Sequence, residues 1–238
     1  MRRFAVTRNL WHSSGLVIVW AGLLIVSLLV TVAVSFFRDI TISGWGVFVF
    51  ISPWYMLGMG VYVTAIYLPM YIAHGVTRRQ CLSQALLFGL LLVTVGAALV
   101  TLGFGIERAV YAVADWPQAL EADASALYTS ADQYGWIFLG FWLGFAIFLA
   151  VGAAIAAAFY RRAWGGVGGL LLVVAGLILI VPAGMASATN IPTKRILEQW
   201  ADSVGTAAIL TACVLAALAA TAATWALVRD MPIRLGSR

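Results

Sequence analysis

The chain has 238 residues, of which 63% are apolar and only 10% charged, with a formal net charge of +5. No water-soluble core hides that much apolar surface, so a soluble globular domain is excluded and lipid is the expected solvent. The apolar residues also fall in blocks of about twenty, the length a helix needs to cross a ~30 Å hydrocarbon layer.

In chain order, the spans are predicted at Leu16 to Phe36, Val47 to Ile72, Ala85 to Gly105, Tyr134 to Tyr160, Val167 to Ser187 and Thr206 to Val228. A membrane barrel would show alternating segments of about ten residues, whereas these runs are apolar on every side. The expected fold is therefore all-α and integral to the membrane, a single domain of six helices. Arg2, Arg3 and Ala33-Val34-Ser35 imitate parts of an export signal, but the apolar stretch between them is too long for a cleaved one. A retained first span is expected.

Basic residues set the orientation, because Lys and Arg of short loops stay on the cytoplasmic side. With the N-terminus inside, ten arginines fall inside, including Arg78, Arg79, Arg161, Arg162 and Arg229; the outer side holds Arg38, Arg108, Lys194 and Arg195. Both termini are expected in the cytoplasm. The positive charge is thereby a topological signal, and no basic patch points to nucleic acid.

Chemistry-bearing motifs are sparse. Cys81, Cys213, His12 and His74 form neither a disulfide framework nor a metal-ligand pattern. Lys194 is the single lysine and follows Ile191-Pro192-Thr193, not the glycine-rich turn of a phosphate-binding loop. The predicted spans carry no Asp, Glu, Lys or Arg near their middles, as an ion-driven carrier would require. HExxH, GxSxG and paired carboxylates are missing too. Neither an enzyme, a metal site nor a cofactor is expected.

The connections carry more information. Between the second and third spans the chain reads Ala73-His74-Gly75-Val76-Thr77-Arg78-Arg79-Gln80, continuing to Gln84. Gly75 can end one helix at positive φ, and Thr77 can cap a next one running along the membrane surface. From the residues alone, a tight turn with ordinary cytoplasmic arginines and a docking element fit equally.

This Gly-x-Thr-Arg-Arg turn after the second of six helices resembles the permease subunits of ABC-2 type transporters. The resemblance covers the whole chain in span count, orientation and loop lengths, and at motif level rests on Gly75, Thr77, Arg78 and Arg79. It implies a coupling element at Gly75, Val76, Thr77, Arg78, Arg79 and Gln80 that seats in a separate cytoplasmic ATPase subunit. It further implies a second permease copy or a related permease as partner, a bacterial cytoplasmic membrane, and export of a hydrophobic or amphipathic substrate. The family also places a surface helix before the first span; in Arg2 to Ser14, Phe4 and Trp11 share one face while Val6 and Leu10 point nearly opposite. The rival is a non-transporting scaffold or assembly subunit.

Two outer loops are expected, Ile106 to Gln133, acidic and interrupted by Trp116-Pro117, and Ala188 to Gly205, where Ile196 and Trp200 either rest on the interface or form part of a lid. In the second span Tyr55, Met59 and Tyr62 share a face at helical spacing, a candidate substrate path, while Tyr67 and Tyr71 form another pair. Pro69 is expected to bend this helix. Gly140-x-x-x-Gly144 and Gly152-x-x-x-Ala156 mark close packing of helices, within the chain or at a dimer seam.

Overall fold

A computed structural model of the chain describes residues 5–120, 127–161, 165–186 and 205–229. Among these, every regular element is helical. In chain order they are α1 (Ala5–Ser14), α2 (Leu16–Ser35), α3 (Gly44–Ala73), α4 (Arg78–Ala114), α5 (Tyr134–Arg161), α6 (Gly165–Ala186) and α7 (Thr206–Arg229). Five helical runs are long and apolar enough to cross a membrane: Val6–Ser35, Gly44–Ala73, Arg78–Ala114, Tyr134–Phe159 and Thr206–Val228. The chain is a multi-pass helical membrane protein. Within α6 the described apolar stretch, Val173–Ala186, is shorter. The expected second outer loop, with Lys194, Ile196 and Trp200, lies outside the described residues, as do Arg2, Arg3 and Phe4.

The third span needs correcting. Expected from Ala85 to Gly105, it is a helix of 37 residues from Arg78 to Ala114, about 55 Å long. Hydropathy falls at Arg79 and Glu107, but Arg, Gln, Glu and Ala are strong helix formers, so the backbone continues past the apolar block at both ends. The Arg78–Gln84 segment is consequently the first two turns of this rod and not a separate surface helix. The outer loop expected from Ile106 likewise begins as helix. It ends where Asp115 turns left-handed (φ 56°) and Trp116 N–H donates to Tyr111 O at 3.0 Å, with Pro117 unable to extend the helix.

α3 is one run with two irregularities, each just ahead of a proline. Pro53 cannot donate to Val49 O; a 3-10 turn at Val49–Ile51 lets Ser52 satisfy that carbonyl through its N–H and, at 2.5 Å, its Oγ. Ahead of Pro69 the backbone widens into a π turn at Val63–Tyr67, where Leu68 N–H reaches Val63 O.

α5 is the central helix. Phe141, Phe145, Ile147 and Phe148 on it are fully buried, whereas α2 sends Ile18 (79% exposed) and Leu29 toward lipid. Small residues set how closely the other helices approach α5. A methyl group added to Gly60 would lie 2.1 Å from Leu149 O, and one added to Gly152 would lie 2.1 Å from Leu57 O. α3 and α5 therefore cross with backbones in contact. Gly140 sits equally tightly against Ala186 O, so both small-residue motifs of α5 pack inside the chain. On α4, Gly89, Gly96 and Gly103 recur every seven residues and receive Leu149, Met56 with Phe145, and Trp45.

Candidate functional site

At the end of the bundle bearing Arg78 and Arg79, α3 stops in a Schellman motif: Val76 N–H donates to Tyr71 O and Gly75 N–H to Ile72 O, both at 3.0 Å, with Gly75 at φ 84°. One residue later Thr77 Oγ1 accepts from Gln80 N–H at 3.3 Å and opens α4. Two helices thus meet through back-to-back caps with no slack between them, as Gly75 and Thr77 were expected to arrange. Gly75, Thr77, Arg79 and Gln80 are exposed, Val76 and Arg78 half-buried. Val76 rests on a small apolar cluster of Leu68, Cys81, Ala157 and Val228, with Tyr71 and Leu82 beside it, which ties α3, α4, α5 and α7 together beneath the turn.

Directly above lies a cavity of about 280 Å³ bordered by α1, α3, α4, α5 and α7. Its walls include the π turn through Val63, Thr64 and Tyr67, and share Leu68, Tyr71, Cys81, Leu82 and Val228 with the cluster under the turn. The cavity's position between the basic end and mid-bundle was not legible from helical spacing. Tyr55, Met59 and Tyr62 do not line it. Tyr55 donates to Ser14 O at 2.6 Å, Met59 is buried in the core, and Tyr62 is exposed with its ring edge-on to Tyr67 at 5.1 Å. Tyr67 and Tyr71 do pair, at 5.8 Å, and both line the cavity.

α1 closes one side of this cavity. Val6 and Leu10 are buried and line it, so their face docks on the bundle, with the half-buried Trp11 packed beside it. Gln84 Oε1 accepts from Val6 N–H (3.0 Å) and Thr7 N–H (3.4 Å), two donors that a helix N-terminus otherwise leaves open. Asn9 Nδ2 donates to Tyr71 Oη at 2.8 Å. Gly15, at φ 61°, makes the elbow into α2.

The opposite end is locked by a buried acid that hydropathy assigns to a loop. Glu107, fully buried on α4, accepts from Ser43 Oγ (2.5 Å), Trp45 N–H (2.7 Å) and Gln118 Nε2 (2.9 Å). Tyr111 Oη takes Gly44 N–H at 3.0 Å, and Ser43 Oγ takes Gly46 N–H at 2.9 Å. The first three N–H groups of α3 are all satisfied, and a carboxyl group at a helix N-terminus also complements its dipole. This arrangement anchors; it places no reactive group against open space.

Among the described residues, no cluster of three or more His, Cys, Asp or Glu side chains could hold a metal, and Cys81 and Cys213 are both buried and free. No protein-family description, no curated protein and no solved structure matches this chain.

Proposed function

We propose that this chain is the six-span permease subunit of an ABC-2-like transporter, with both termini in the cytoplasm. It exports a hydrophobic or amphipathic substrate with energy from a separate cytoplasmic ATPase. α6 is the fifth span in this reading, and a second permease, identical or related, completes the pathway.

The observation that carries the reading is the shared wall between turn and cavity. Leu68, Tyr71, Cys81, Leu82 and Val228 lie both under the turn and in the cavity lining. An ATPase grasping Gly75 to Gln80 would push on two helix ends fixed by the caps. The displacement reaches the cavity through packed side chains, and the π turn ahead of Pro69 offers α3 a place to reshape. Hydrolysis belongs to the partner.

The test is purification of tagged protein in mild detergent, with mass spectrometry and an assay for vanadate-sensitive ATP hydrolysis. The wild type should bring down a cassette ATPase. Arg78→Ala together with Arg79→Ala should lose it while still inserting. Failure to recover any such ATPase from cells that express one would favour the scaffold reading, and an unimpaired double variant would remove the coupling role from the turn.

A further inference from the structure

We infer that the cavity between α4 and α7 is a side-entry site for one acyl chain of a membrane phospholipid. The chain enters from the leaflet on the side of the Gly75–Thr77 turn. This deepens the permease reading by naming the substrate class and its place, and it rests on that reading only for the step of transport.

The lining is almost wholly apolar and leaves water few partners. Thr221 Oγ1 is bonded to Ala217 O (2.7 Å), and Thr224 Oγ1 to Ala150 O (3.2 Å) and Ala220 O (2.9 Å). Thr64, Tyr67 and Tyr71 add hydroxyl groups to a lining that is otherwise mainly hydrocarbon. A buried water needs two to four polar partners, so a space of this kind stays dry or takes an apolar guest. Of its lining residues, Leu86 (54% exposed), Leu90 (54%) and Trp225 (47%) also reach the surface of the bundle, on the membrane-spanning runs of α4 and α7, so an opening there would meet acyl chains rather than water. Shape narrows the guest further. The lining extends along α4 from Cys81 to Val93, about 18 Å of helix, yet borders only about 280 Å³. A space of that height and volume takes one acyl chain and not two. Tyr71 stands at its basic end, its Oη accepting from Asn9 and keeping a proton to donate to a headgroup.

The probe is a phospholipid bearing a diazirine on one acyl chain, in vesicles of phosphatidylethanolamine and phosphatidylglycerol. Full-length protein is reconstituted without any ATPase, illuminated, and the label mapped by mass spectrometry. Label is expected on cavity residues such as Val93 and Thr64 at a level at or above that on Ile18 and Ile25, which face bulk lipid. Ala85→Phe and Ala146→Phe add bulk to the cavity from α4 and from α5. In whichever of them runs as a monodisperse folded protein, cavity label falls roughly tenfold, the change that excluding about two methylenes brings, with Ile18 and Ile25 unchanged. Label confined to Ile18 and Ile25 in the wild type, or cavity label indifferent to filling, overturns the inference. So does labelling by a free diazirine fatty acid but not by the phospholipid. Because no ATPase is present, this outcome is independent of whether the turn recruits one.

Discussion

Replacing Glu107 by alanine should be among the most damaging single changes in the protein. It would leave three donors without their acceptor, the buried Trp45 N–H and Ser43 O–H and one N–H of the half-buried Gln118. A buried donor left unpaired costs about 1–3 kcal/mol. The backbone N–H of Trp45 has nowhere else to turn. The other two can recover in part, since the serine hydroxyl rotates and Gln118 Nε2 also donates to Phe104 O at 3.0 Å. The expected loss is about 3–5 kcal/mol, a large share of the ~5–15 kcal/mol by which proteins are folded. Glu107→Gln keeps one acceptor for Trp45 and should cost about 1–2 kcal/mol. Cys81 and Cys213 supply the assay, because both are buried and free: maleimide reactivity during an SDS titration in mixed micelles reports unfolding. A midpoint for Glu107→Ala within about 0.5 kcal/mol of wild type, the range of an ordinary surface substitution, would refute the anchoring role.

Gly60→Ala and Gly152→Ala should each cost about 1–3 kcal/mol, because the added methyl meets a backbone carbonyl that cannot yield without separating α3 from α5. The two changes open the same seam, so the double variant should lose less than the sum in the same titration; strict additivity would mean the helices do not share one contact. Gly75→Ala meets no neighbouring atom and should cost about 1 kcal/mol from its positive φ alone. That is a drop of roughly 2–4 °C in thermal midpoint for a chain this size, while Gly22→Ala, helical and uncrowded, should lower it not at all.

Hydropathy and capping chemistry made the helices at either side of the Gly75 turn legible, since a twenty-residue apolar block and a Gly-x-Thr pair act locally. Glu107 was hidden for the opposite reason. An acid just past an apolar run reads as the start of a loop, and the partners that make it structural, Ser43 and Trp45, lie 64 and 62 residues away. The docking of α1 depends on Gln84 in the same non-local way. The cavity is invisible to helical spacing because its lining comes from α1, α3, α4, α5 and α7, and because the π turn at Val63–Tyr67 departs from the 3.6-residue register on which such spacing rests. The seven-residue recurrence of Gly89, Gly96 and Gly103 takes its meaning only from Leu149, Met56, Phe145 and Trp45, which enter it from other helices.

α4 joins the Arg79 end to the Glu107 anchor without a proline along its length. About 42 Å of helix separates those two residues, and the whole rod is longer than the ~40–45 Å of a bilayer with its headgroups. Such an element acts as a lever: a tilt of ~10° applied at the turn would sweep the far end by ~7 Å over that arm. The Glu107 hydrogen bonds would hold the fulcrum near that far end, so such a tilt would be felt at the basic end, where it would widen or narrow the mouth between α4 and α7.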